Sequence, residues 1–231
     1  MSVIGGKKVA ASKNRLTKGF IISGIILGFV MPLLLSICRQ YIPSSFYFSD
    51  NFIIRMLPSV VYYIYMISLS LYMGIFICSV VYTGLSTTAI IALPYIFFCL
   101  VQLLYTIAIN YSNMLLEAWP IVLSIFGIVL IPVLWYAFTK LISLIKMPNA
   151  AKIVISAIIV FIISDWMYIW DIINLLIENA SVNMPNIIDI LFGRLVPFVI
   201  CIACAVFIYV ILNDIIERKE IKKESAKKLN D

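Results

Sequence analysis

The chain has 231 residues, of which 64% are hydrophobic and 12% charged, with a mean hydropathy of +1.10. A water-soluble domain carries about 45–50% apolar and about 25% charged residues, so lipid has to be the solvent for most of this chain. Its net charge of +6 comes without a single histidine, which removes imidazole from every catalytic or metal-binding scheme.

The N-terminal tail, residues 1–18, holds Lys7, Lys8, Lys13, Arg15 and Lys18 and no acid. An apolar run follows from Gly19 to Cys38, long enough to span at about 20 residues per crossing. A basic start before an apolar run also fits a signal peptide, yet no small-x-small cleavage site follows. Leu35-Ser36-Ile37-Cys38 has isoleucine where a lipoprotein box needs a small residue. The run is read as an uncleaved first helix.

Five further spans are expected at Leu57–Thr83, Ser86–Asn110, Ala118–Ile145, Ala151–Ile173 and Leu195–Ile216. The fold class is therefore an all-α polytopic membrane bundle of about six helices. Residues 19–216 form the transmembrane domain and 217–231 a charged cytoplasmic tail. Pro32, Pro94, Pro132 and Pro197 fall inside spans, where each removes a backbone donor and favours a kink. Between the last two spans, Ile187–Phe192 reads as an interfacial or re-entrant segment, with Asn183, Pro185 and Gly193 as breakers. In the tail, Glu224 and Lys228 are four apart, a spacing that continues the sixth helix into water.

Orientation follows from Lys and Arg. With the N-terminus inside, the five tail cations, Lys140, Lys146, Lys152, Arg218, Lys219, Lys222, Lys223, Lys227 and Lys228 are cytoplasmic. They make up fourteen of the 17, against Arg39, Arg55 and Arg194 outside. That imbalance predicts N-in and C-in with an even number of crossings. The cations flank spans and cluster on no folded face, which argues against nucleic-acid binding. The expected setting is the plasma or bacterial inner membrane.

Candidate functional residues are few. Asp165, about 14 residues into the fifth span, is costly at that depth unless it faces protein or water. Gln102 falls at a similar level in the third span, Cys201 in the sixth, and Ser68 and Ser70 somewhat deeper. Together they suggest a polar layer displaced toward the outside, suited to a substrate or ion site or to helix-to-helix hydrogen bonding. Asp171, Asn174 and Glu178 share one face of a continued helix. A pairing of Asp171 with Arg194 would latch the fifth and sixth helices at the outer surface. Trp166 and Trp170 read as interfacial anchors.

Cys201-Ile-Ala-Cys204 has redox spacing, but apolar surroundings without a neighbouring cation leave its thiols inert. Gly24-x-x-x-Gly28 and the Ser70-Gly74-Cys78 stripe permit close helix approach, within the chain or in a dimer. No metal-ligand spacing, phosphate cradle or catalytic constellation is present, so neither an enzyme nor a cofactor is expected.

Six helices, N-in and C-in, with larger outer loops and an aromatic outer face resemble two small-permease plans. These are the substrate-capturing subunit of energy-coupling-factor transporters and the permease half of type-2 ABC exporters. The resemblance is one of architecture and implies a transporter subunit working with a protein partner or as a homo-oligomer. The four-residue turn Thr83–Ser86 leaves no room for the coupling helix of the exporter plan. Two other classes fit the composition: a non-catalytic assembly, immunity or defence-system protein acting through partners, and an oligomeric ion channel.

Overall fold

A computed structural model of the chain describes residues 17–48, 50–109, 118–165 and 184–228. Among these residues all regular structure is helical. Helix α1 covers Thr17–Gln40. It is followed by α2 (Phe52–Tyr82), α3 (Leu85–Ile109), α4 (Ala118–Leu144), α5 (Asn149–Ser164) and α6 (Met184–Lys228). All but α5 contain a stretch long and apolar enough to cross a membrane. The protein is an all-α, multi-pass helical membrane bundle.

Two elements depart from the sequence expectation. Helix α5 ends at Ser164, where the Asp165 N–H closes on the Phe161 carbonyl at 2.9 Å. Its 16 residues reach about 24 Å, short of the roughly 30 Å hydrocarbon core. The expected Asp171–Arg194 latch lies outside the described residues, as do Trp166, Trp170, Asn174 and Glu178. Helix α6 starts at Met184 and absorbs the Ile187–Phe192 segment. Pro185 does not break it, because a proline in the first turn gives up an amide that has no partner there. At the other end α6 continues to Lys228, the helical continuation that the Glu224/Lys228 spacing suggests. Its 45 residues amount to about 68 Å, more than twice the hydrocarbon thickness.

Helix α2 is the axis of the bundle, and each of the other five helices packs against it. Its buried positions are Pro58, Ser68, Ser70, Tyr72 and every residue from Gly74 to Val80. Association inside lipid gains nothing from hiding apolar surface, so it depends on close packing and hydrogen bonds, which small residues permit. Gly74 shows how. A Cβ built there would stand 3.0 Å from the Ala205 Cα, so α6 lies directly on the α2 backbone. Next to this contact, Cys201 Sγ of α6 meets Met73 Sδ of α2 at 3.8 Å.

Helix α1 uses Gly24 and Gly28 in the same way, both within the chain. A Cβ on Gly24 would meet Ile91 of α3 at 3.0 Å, and one on Gly28 would meet the Tyr72 ring at 2.5 Å. The glycine pair thus seats α1 against two neighbours. Four aromatic rings join α2, α3 and α4: Tyr72 stacks on Tyr95 at 5.3 Å, and Trp135 lies 5.4 Å from Tyr95 and 5.7 Å from Phe76.

Prolines free carbonyls, and a side chain recovers one of them. Residues Ile26–Val30 form a π turn in which the Met31 N–H is donated to the Ile26 carbonyl. The carbonyl of Leu27 thereby loses its α-helical donor, and its π-helical donor would be Pro32, which has no N–H. Ser68 Oγ of α2 lies 3.5 Å from that oxygen. In α3, Pro94 denies a donor to the Ile90 carbonyl. One residue on, the Tyr72 hydroxyl donates to the Ile91 carbonyl at 3.0 Å.

Both turns at the Lys-rich end are pinned by side chains. Ser79 Oγ lies 2.7 Å from the Phe76 carbonyl and 3.2 Å from Thr88 Oγ1, which is 3.3 Å from the Gly84 carbonyl. Two hydroxyl protons serve these three contacts, so two are donated at any moment. Thr83 Oγ1 adds a bond of 2.6 Å to the Ser79 carbonyl. Across the α4–α5 turn, Lys152 Nζ donates to the Ser143 carbonyl at 2.8 Å, a cation at the negative end of α4.

The packing at Gly28 gives a direct test. Gly28→Ala drives a methyl into a Tyr72 ring that is fully buried and tethered to Ile91, so overpacking is expected to cost about 1–3 kcal/mol. Gly127→Ala meets nothing within 4 Å. Thermal melting in one detergent is expected to show a clear loss for the first variant and none for the second.

A candidate ligand cavity between helices α1 to α4

A cavity of about 400 Å³ opens among α1, α2, α3 and α4. Its walls are Leu35, Ser36 and Arg39 of α1; Val61, Tyr62 and Tyr65 of α2; Tyr95, Phe98, Cys99 and Gln102 of α3; and Ile128 of α4. Helical periodicity explains the α3 wall, since Tyr95, Phe98, Cys99 and Gln102 follow at i, i+3, i+4 and i+7 and share one face. Ser36 and Arg39 of α1, and Tyr62 and Tyr65 of α2, are each three apart and meet the same space.

Depth follows from helix rise. Gln102 is seven residues before the end of α3, about 10 Å at 1.5 Å per residue, and Arg39 belongs to the last turn of α1. The cavity therefore occupies the half of the bundle remote from Lys140, Lys146 and Lys152. By the charge count that half is the outer one.

Polar groups in the walls are already organised. Gln102 Nε2 donates to Ser36 Oγ at 2.7 Å and ties α3 to α1 across the space. That bond uses one amide proton and leaves Gln102 Oε1 and the Ser36 hydroxyl proton for a guest. The Arg39 guanidinium stands 5.9 Å from the centre of the Tyr62 ring, within reach of the ring's negative face. Arg39 also suits its place on α1, because a cation in the last turn complements the helix dipole. The inner wall is rigid, since Tyr95 stacks on Tyr72 and touches Trp135.

Of the residues singled out in the sequence, Gln102 lines this cavity and Asp165 does not. Asp165 follows the last residue of α5, half-buried, and α5 packs on α2, α4 and α6. Cys201 and Ser68 are spent on contacts with Met73 and Leu27, while Ser70 is buried on the α2 axis. The sequence reading missed Ser36, Arg39, Tyr62, Tyr65 and Cys99 as wall residues. Arg39 counted only as a topology charge, although the one-face spacing of Tyr95, Cys99 and Gln102 was a usable signal.

Other features of the described residues point to no second centre. No three His, Cys, Asp or Glu side chains among them come together as a metal site. A groove on the outside of α1 and α3, lined by Ile25, Phe29, Ile90, Leu93, Pro94, Ile96, Phe97 and Leu100, is almost wholly apolar and suits a lipid tail. Comparison with protein-family models, with curated proteins and with solved structures finds no match to this chain.

Exposure of the native cysteines tests the cavity. Cys38 is exposed and Cys99 is accessible through the cavity, whereas Cys78 and Cys201 are buried. A small membrane-impermeant thiol reagent added to the outside of intact cells is expected to label Cys38 and Cys99 and to spare Cys78 and Cys201. Labelling of Cys99 only from the cytoplasmic side would reverse the assigned orientation.

Proposed function

We propose that the chain is the membrane-embedded, ligand-binding subunit of a transporter, without enzymatic activity of its own, resident in the plasma or bacterial inner membrane. The observation that carries this reading is the cavity at Gln102. Its volume of about 400 Å³ falls within the roughly 300–1,000 Å³ of small-molecule sites. Its walls follow the usual plan of such sites, aromatic surface with a few placed polar groups. A site in the outer half of the bundle suits capture of a solute from outside the cell.

The reading includes a protein partner, since a transporter subunit of this kind takes its energy or specificity from one. The residues of α6 beyond Glu217 extend about 16 Å past the apolar window and give a cytoplasmic partner a helix to grip. Asp214 and Arg218, paired at 2.9 Å on exposed positions, mark where that extension leaves the hydrocarbon. Asp165 belongs to the proposal as an acid near the same level on the other side of the bundle, outside the cavity walls.

Two measurements test it. Purification from native membranes in mild detergent is expected to bring down a second protein in fixed ratio, and isolation of a lone monomer under every mild condition argues against a transporter subunit. Solutes removed from the medium by wild-type cells and left by a deletion strain identify the cargo. Cells carrying Gln102→Leu are expected to leave the same solutes behind, with uptake reduced about tenfold or more, the cost of an unpaired buried polar partner. Asp165→Asn is expected to keep uptake within about twofold by the same scale. Normal uptake in Gln102→Leu would favour a non-catalytic protein acting through partners.

A further inference from the structure

We propose that the ligand of this cavity is a small soluble organic anion, with a carboxylate or phosphate held at Arg39 and a flat apolar body between the tyrosine rings. This assignment rests on the reading of the cavity as a ligand site and adds the chemistry of the ligand. Charge is the first argument. Among the described residues Arg39 is the only ionic side chain in the walls, and none of the described Asp or Glu residues lines the space. A ring-walled space with one guanidinium and no acid among its described walls favours anions over cations, and because Arg39 is itself exposed that preference is moderated by screening.

The geometry of Arg39 is the second argument. The Arg39 guanidinium carbon lies 5.9 Å from the centre of the Tyr62 ring, with the Tyr65 phenol also within its electrostatic reach, and the ring contact uses none of its N–H groups. The edge, with its five N–H donors in a fixed fork, stays available for a carboxylate or phosphate. The Tyr62 contact thus leaves the guanidinium N–H groups to a guest.

The rest of the walls defines the body of the ligand. Tyr62, Tyr65, Tyr95 and Phe98 supply flat aromatic surface from two helices, which suits a ring or another planar group. Gln102, tied to Ser36 at 2.7 Å, presents a carbonyl oxygen that accepts from an N–H or O–H on the guest.

A lipid headgroup has the same anionic chemistry, and the register of α3 argues against it. The groove fit for an acyl chain uses Ile90, Leu93, Pro94 and Phe97, whereas the cavity uses Tyr95, Phe98, Cys99 and Gln102. At about 100° per residue these sets lie on roughly opposite sides of the helix, and they share no residue. A chain in the groove therefore does not lead a headgroup to Arg39.

The test uses full-length protein with Cys38→Ser and Cys204→Ser, so that Cys99 is the reactive thiol, in nanodiscs of phosphatidylcholine. Labelling of Cys99 by a small maleimide is followed with 2-naphthoate, 2-naphthylmethylamine or 2-naphthylmethanol as probes of matching shape and different charge. Naphthoate is expected to slow labelling at concentrations about tenfold or more below those of the amine and the alcohol. Arg39→Gln should remove that preference and Arg39→Lys should keep part of it, with unchanged melting temperatures showing that both variants fold. Equal protection by all three probes, or a preference surviving in Arg39→Gln, overturns the assignment to an anion while the cavity stands. Protection by no probe sinks the ligand-site reading as well. Nanodiscs containing phosphatidylglycerol separate the two sources of anion: protection by that lipid alone, with no further effect of naphthoate, overturns the soluble ligand.

Discussion

The bundle depends on the close approach of α6 to α2 at Gly74 and Ala205. In water, helices gather because their apolar faces leave the solvent, but lipid is as apolar as leucine and supplies no such drive. Attraction has to come from many short van der Waals contacts, each worth only about 0.1–0.2 kcal/mol and lost over a small gap. Removing the side chain at Gly74 brings backbone to backbone, a Cβ-to-Cα distance of 3.0 Å had a methyl been there, and multiplies those contacts along the stripe. Gly24 and Gly28 do the same for α1. Nine glycines in 231 residues is a small number, and the chain places several of them at its tightest crossings.

The same economy governs backbone polarity. Each proline inside lipid exposes a carbonyl with no water to receive it, at a cost of several kcal/mol if unmet. Interhelical hydrogen bonds in membranes return only about 0.6 kcal/mol on average. The bond from Ser68 to Leu27 therefore matters chiefly as relief of a penalty, whereas the bond from Tyr72 to Ile91 falls one residue past the carbonyl that Pro94 frees. The Ser68 bond also selects a neighbour, since only a helix bearing a hydroxyl at that depth relieves the penalty. The π turn before Pro32 has a further effect. One extra residue in a turn rotates everything beyond it by about 100°, and the part so rotated carries Leu35, Ser36 and Arg39, the α1 wall of the cavity.

The long apolar helices were legible in the sequence because hydropathy and length report directly on lipid burial, although the bounds of α5 and α6 were not. Five long apolar helices lie where the apolar runs place them. Adjacency was less legible. Gln102 and Asp165 were paired by depth, yet depth is one coordinate of three, and the packing sets α5 against α2, α4 and α6. Asp165 also stands just past the last residue of α5 and not within the helix. The partner that Gln102 does have, Ser36, is a small hydroxyl 66 residues away. Nothing in its local sequence distinguishes it from a lipid-tolerated serine.

Arg39 shows why one residue can satisfy two constraints and be read for only one. As a cation beyond an apolar run it enters a topology count, and in the last turn of α1 it complements the helix dipole. Neither role fixes where the guanidinium points. Rotation at the π turn and the face of Tyr62 do that, and they turn an orientation marker toward a space walled by tyrosines. The other cations that bound the spans at the opposite end are held differently, as Lys152 is on the Ser143 carbonyl. A charge placed by topology can serve as a binding group only where packing leaves a cavity beside it, and among the described residues Arg39 lines such a space with no acid in its walls.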